Sequence, residues 1–386
     1  VNAPERGGAA INPADQDALL RGLELMGTGG GGTVEFGRAI MDNDFRRGRS
    51  YTLVGLDEVP PDALVVSGGI MGSVKELDDT SPAEIVQNWE DSFEALSALE
   101  AMERHLGRKV DYLIPFELGG LNTPVILSLG SRAGIPVVDA DGVGRAAPET
   151  QMTSFIGHGV QLTPMPLVDQ TGNTVVVQKA QSPFFPDEVG RFIVARAGGM
   201  GANAHYPMSG AEMARAAIPG TISYSLRLGR KLERITDPEA VSSLLADELN
   251  GQACFTGRAE ELHEVEATGF FVQRALLKGT GRYAGHSMEL LIKNEFMMAS
   301  LDGQVGCVFP DLILVVNDRG RGTMSAELAR GDLVHIVVAP CHPRLRQAAK
   351  SALGKEALSP ARFGAEGVSY RPVEELSRTW GLRWAM

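Results

Sequence analysis

Acidic side chains carry most of the chemistry legible in this sequence, and they fall in one stretch. Glu117-Leu-Gly-Gly-Leu-Asn122 is followed, after an apolar segment, by Asp139-Ala-Asp141-Gly-Val-Gly-Arg145-Ala-Ala-Pro-Glu149. The run 110–116 reads as a strand ending at Glu117, and the run 135–138 as a strand ending at Asp139. Between them a glycine turn leads into a helix over 123–132, closed by Gly134. A strand–helix–strand unit crosses over right-handedly, which makes its strands parallel and puts their carboxyl ends on one edge of the sheet. Open α/β sheets bind ligands at that edge. Glu117, Asp139 and Asp141 are therefore expected at one mouth, with Asn122 at the start of the helix and Glu149 nearby. Carboxylates gathered this closely need a cation, an arginine or raised pKa values. Arg145 is the local arginine, and an oxygen-rich set also suits a divalent metal, zinc or similar. The chemistry on offer is activation of water by a general base, with Glu117, Asp139, Asp141 and Glu149 as the catalytic candidates.

Two histidines extend that set. His158 stands in Gly157-His158-Gly159 and His205 follows Gly198-Gly-Met-Gly201, both read as loops. With Asp139 and Asp141 they form the candidate metal ligands. Gly27-Thr-Gly-Gly-Gly-Gly32 contains a G-x-G-x-x-G. A dinucleotide fold would need a strand before Gly27 and an acid about 20 residues on. Asp57 is a late candidate for that acid, but the preceding segment reads as helix, so no nucleotide is expected. The amides of Gly29, Gly30 and Gly31 are instead read as a cradle for a substrate carboxylate or carbonyl. Asn122, Arg145 and Thr221, the last opening a helix after Gly220, complete the candidate substrate contacts. Neither H-E-x-x-H nor G-x-S-x-G is present.

The elements that must position these residues are marked by their ends. Helix starts are expected at Asn12-Pro13, Ser81-Pro82-Ala83-Glu84, Ser209-Gly210-Ala211-Glu212 and Asp237-Pro238. The second is expected to run unbroken to Leu106. Strands 51–56, 63–67, 110–116 and 135–138 alternate with helices, which predicts an α/β fold with a mostly parallel sheet and flanking helices. From 252 the pattern becomes strands with little helix: 254–256, 269–275, 290–292, 305–308, 312–316 and 334–338. The expected organisation is an α/β domain over 1–250, a smaller β-rich domain over 251–345 and a C-terminal tail, 346–386, packing back on the first.

Composition narrows the partners. Lys and Arg number 36 against 48 Asp and Glu, giving a formal charge of −12. That disfavours nucleic acid and anionic membranes; the expected partner is a small-molecule substrate. Three scattered cysteines, Cys254, Cys307 and Cys341, make no disulfide framework. No leader or apolar span is read, so a cytoplasmic location is expected.

The motifs gain weight in combination. The glycine loop 27–32, the 117–122 and 139–149 stretches, Gly220-Thr-Ile-Ser223, Pro310-Asp-Leu-Ile313 and Phe363-Gly364 occur in this order. The chain thereby resembles a bacterial family associated with S-methyl thiohydantoin desulfurase, from about residue 20 to about residue 372. The resemblance implies an N-terminal α/β domain joined to a smaller C-terminal one. It also implies hydrolysis of a small five-membered cyclic ureide, an S-methyl thiohydantoin or hydantoin, by water attack at a ring carbon. A homo-oligomer and a hydantoinase-type partner go with that expectation. One departure is Ala147, where the family pattern has an aromatic before Pro-Glu. The alternatives are a non-catalytic accessory subunit of a hydantoinase- or oxoprolinase-type enzyme, and a dinucleotide-dependent enzyme.

Overall fold

The computed structural model describes residues 9–72, 81–265 and 269–384. Its first layer is an eight-stranded mixed sheet. The strands are β1 (Ala9–Ile11), β2 (Tyr51–Val54), β3 (Leu64–Gly72), β4 (Tyr112–Pro115), β5 (Val137–Val138), β7 (Met165–Asp169), β8 (Thr174–Val177) and β9 (Met200–Ser209), with the two-residue β6 (Ala140–Asp141) standing apart. Their order is β1-β2-β5-β4-β3-β9-β7-β8. The four central strands β2, β5, β4 and β3 are parallel, as the alternation of strands and helices predicts. β1 and the β9-β7-β8 group extend the sheet antiparallel on either side. Those three latter strands fall between 160 and 250, where short polar interruptions hide the period-two pattern from the sequence.

The second sheet is antiparallel throughout. Ile218–Pro219 (β10) pairs only with β6, and the chain then enters β11 (Gln252–Val265), β12 (Val272–Gly279), β13 (Ser287–Lys293), β14 (Glu295–Leu301), β15 (Gln304–Val308), β16 (Leu312–Asn317) and β17 (Leu333–Ala339). The order is β15-β14-β13-β12-β11-β17-β16. β14 has no counterpart among the expected strands. It is reached from β13 through a single residue, Asn294, at φ 55°. One apolar cluster joins the layers: Leu19, Leu23 and Leu118 of the first region pack in the same core as Leu291, Met297 and Leu314 of the second. The segment after β17 sends the short helices Pro343–Ala348 and Ala352–Ala357 to the first region. It then lays Trp380 on β15, where the indole nitrogen donates to the Gln304 carbonyl at 2.8 Å.

The helices that matter for the site are α1 (Gln16–Met26), α2 (Val34–Arg46), α3 (Glu94–Leu106), α4 (Asn122–Ala133), α5 (Phe185–Arg196) and α6 (Thr221–Leu232). The expected single helix from Ser81 to Leu106 is two, Pro82–Asn88 and α3. The break follows from Glu90, whose carboxylate is drawn to Arg49 and Arg132 at 2.7 Å each. Trp89 and Phe93, on either side of it, still reach the core with their rings 4.8 Å apart.

Candidate active site

The strand–helix–strand unit folds as its sequence dictates. β4 and β5 pair in parallel at Leu113 and Val137, and α4 ends at Gly134 with φ 68°. A small cleft of about 60 Å³ opens at the carboxyl ends of β3 and β4. Its walls include Gly31 and Gly32, the end of β3, Glu117, Asn122, Ala147 to Thr150, and Arg191 of α5. Asn203 and His205 come from β9, and Asn294 and Glu295 from the β13–β14 hairpin. Both sheets thus contribute to one site.

Glu117 is buried and held from two sides. Its Oε1 accepts from Asn122 Nδ2 at 2.6 Å, and its Oε2 from the Ala147 amide at 2.6 Å. Asn122 is fixed in turn by the Ile70 amide, which donates to Oδ1 at 2.9 Å. Burial pushes the Glu117 carboxyl up to about 7, against the pull of those donors and of Arg191 and Arg145. Glu295 is buried in the same cleft, and its Oε2 has no hydrogen-bond partner among the described residues. Burial and then the neighbouring Glu117 raise it well above the carboxylate range. A like-charged pair in low dielectric cannot ionise fully, so the two carboxyls separate into one that holds a proton and one that releases it near neutrality. Gly30 makes this approach feasible: a Cβ there would lie 1.9 Å from Glu295 Oε1.

His205 is sealed between Phe116 and Tyr206, with ring centroids 5.5 and 5.2 Å away in edge-on contacts. Burial pushes it down to about 3, so it is a neutral imidazole, and its Nδ1 has no partner among the described residues. Arg191, buried and paired with Asp187 at 3.4 Å, contributes its guanidinium to the cleft wall. Its guanidinium donates to the Gly72, Gly269 and Pro148 carbonyls.

Two family models together match nearly the whole chain: the S-Me-THD-like N-terminal domain over residues 14–179 and the S-Me-THD-like C-terminal domain over residues 181–373. The chain belongs to the S-Me-THD-like family. The family division near residue 180 precedes the change of sheet, because β9 returns to the first sheet before β11 begins the second. A crystal structure of a Chromobacterium violaceum protein, a Northeast Structural Genomics Consortium target, has the same fold at 24% identity and a TM-score of 0.71. The match covers 95% of this chain and 100% of that one. No curated protein matches.

Within this S-Me-THD-like protein, the sequence candidates part company. Glu117, Asn122, Glu149, His205 and Gly31 line the cleft, whereas Asp139, Asp141, Arg145, His158, Thr221, Gly29 and Gly30 do not. Asp139 caps α6 from outside, accepting the Ile222 and Ser223 amides at 3.0 Å each. Asp141 turns inward to its own loop, accepting from Val143 at 3.2 Å and Gly144 at 2.7 Å. Burial pushes it up to about 8. Arg145 is a buried tie between the sheets, donating to the carbonyls of Asp311 at 2.7 Å and Phe296 at 3.0 Å. Glu149 faces the cleft with both oxygens engaged, by Lys293 at 2.5 Å and Arg362 at 2.5 Å.

His158 binds the Ser154 carbonyl through Nδ1 at 2.8 Å and stays at the end of its short helix. The expected metal ligands Asp139, Asp141, His158 and His205 therefore do not assemble. Among the described residues no group of three or more His, Cys, Asp and Glu could hold a metal ion. The glycine loop is a brace more than a cradle. Thr28 and Gly29 carbonyls accept from the Phe296 and Ser325 amides at 3.1 and 2.9 Å, fastening the loop to the second sheet. Helix α1, not a strand, precedes Gly27, which removes the context a dinucleotide site needs. Thr221 is the buried first residue of α6.

Sequence reasoning missed Glu295 and Asn203, and put His205 on a loop. His205 lies on β9, in the alternation Gly201-Ala-Asn203-Ala-His205. A polar triplet, Lys293-Asn-Glu295, between the apolar runs Leu290–Ile292 and Phe296–Met298 is the signal that could have found the hairpin. No helix among the described residues is long and apolar enough to cross a membrane.

Proposed function

We propose that the cleft hydrolyses a small cyclic ureide, an S-methyl thiohydantoin or a hydantoin. The observation that carries this reading is the buried Glu117–Glu295 pair, two interacting carboxyls with raised pKa values in one cleft. Such a pair supplies a base and an acid at neutral pH. Glu117, whose charged form two donors favour, is the base, and Glu295, with an unpartnered oxygen, holds the proton.

For an S-methyl thiohydantoin, Glu117 takes a proton from water as its oxygen attacks the ring carbon bearing sulfur. Glu295 gives its proton to the adjacent ring nitrogen. The tetrahedral adduct then collapses: its hydroxyl proton returns to Glu295, the C–S bond breaks, and Glu117 delivers its proton to the departing methanethiolate. The products are hydantoin and methanethiol, and both carboxyls are restored. Arg191 in the cleft wall offsets negative charge there. Because the expected metal ligands are dispersed, no step is assigned to a metal.

An accessory-subunit reading would call for an exposed apolar surface in place of a formed cleft, and the cleft weighs for the enzyme. The test is methanethiol release from S-methyl thiohydantoins, and ring opening of hydantoins, by the purified protein and by Glu117→Gln. Turnover by the parent that the variant lacks supports the proposal. A folded parent inactive on both substrate types, or an equally active variant, overturns it.

A further inference from the structure

Asn203 is unaccounted for by that mechanism. It is 5% exposed, lines the cleft, and its carboxamide makes no hydrogen bond to another described residue. A carboxamide that lines the cleft and makes no such bond keeps its donor and its acceptor available to a ligand. Its placement is fixed by the strand register: Asn203 stands opposite Gly69, and two residues on, His205 stands opposite Ser67. Residues two apart on a strand share a face, so Asn203 and His205 look the same way. Gly69 leaves room for Asn122, since a Cβ there would come within 3.2 Å of Asn122 Oδ1.

A carboxamide presents one donor and one acceptor side by side, the complement of an N–H and a C=O on adjacent ring atoms. We infer that Asn203 reads such a cis-amide edge of the substrate ring, Nδ2 donating to the ring carbonyl and Oδ1 accepting from the ring N–H. This rests on the cyclic-ureide reading above, and it goes further by naming the edge that is recognised. In a thiohydantoin the edge is the ring N–H that lies between the sulfur-bearing carbon and the ring carbonyl, together with that carbonyl, and both are retained in the hydantoin product. Asn203 is thus a specificity residue that leaves the Glu117–Glu295 chemistry in place.

The test is calorimetric binding of hydantoin, 1-methylhydantoin, 3-methylhydantoin and succinimide to the parent, Asn203→Ala and Asn203→Asp, with thermal melting as the control for folding. The parent is expected to bind hydantoin and to reject 3-methylhydantoin by about 10- to 100-fold. Both variants should bind hydantoin about 10- to 100-fold more weakly and lose that preference, while melting as the parent does. A variant that keeps the parental affinity and preference overturns the inference and leaves the ureide reading standing. A parent that ignores hydantoin yet binds succinimide through Asn203 keeps the edge reader and overturns the ureide reading. Binding of none of the probes by the parent overturns both.

Discussion

Glu117 and Asp139 follow neighbouring parallel strands and have opposite fates. Asp139 meets the amides of Ile222 and Ser223 at the start of α6 and is used up there. Glu117 meets one amide, one carboxamide and a second buried carboxyl, and is left titrating near neutrality. Position at the ligand edge is common to both. What separates them is burial: Asp139 is half-buried at a helix start, whereas Glu117 is buried in a cleft shared with Glu295, which raises its pKa.

The comparison is broken most severely by removing the reactive pair. Glu117→Gln and Glu295→Gln should each lower turnover by about 100- to 10,000-fold with folding retained, read by methanethiol or ring-opening assays. Asp139→Asn, on the same assay, should stay near the parental rate. Arg145→Met should act on stability and not on chemistry: the orphaned Asp311 and Phe296 carbonyls should cost about 3 kcal/mol or more, read by denaturant unfolding. Asp139→Ala should cost about 1 kcal/mol through loss of the α6 cap, checked in the same way.

A pH-dependent effect sharpens the contrast at Asp141. Its folded pKa, raised to about 8, lies above the ordinary carboxyl value of about 4, so the native state keeps the proton longer than the unfolded chain does. Stability from this group is present at low pH and is lost as pH rises from about 4 to about 8. Asp141→Asn should flatten that decline in melting temperature across the same window.

The sequence announced the frame of the site better than its contents. β4, α4 and β5 could be read because an apolar run, a helix and a left-handed glycine follow one another without interruption. Glu117 and Asn122 inherit their positions from that unit. Asp139 and Arg145 could not be assigned, because whether a charged group caps, ties or reacts depends on partners 83 and 166 residues away. Glu295 was invisible for the same reason: it reaches the cleft only because the second sheet folds over the glycine loop. The S-Me-THD-like resemblance gave the fold and family, and the family models agree.

The central claim, that a coupled Glu117–Glu295 pair sets the chemistry of the cleft, is tested most directly by carbon NMR titration of the protein labelled at the glutamate carboxyl. The account predicts a resonance titrating near pH 7 that disappears in Glu117→Gln and moves in Glu295→Gln. Glu117 titrating in the ordinary range, near pH 4, and unmoved by Glu295→Gln would contradict it.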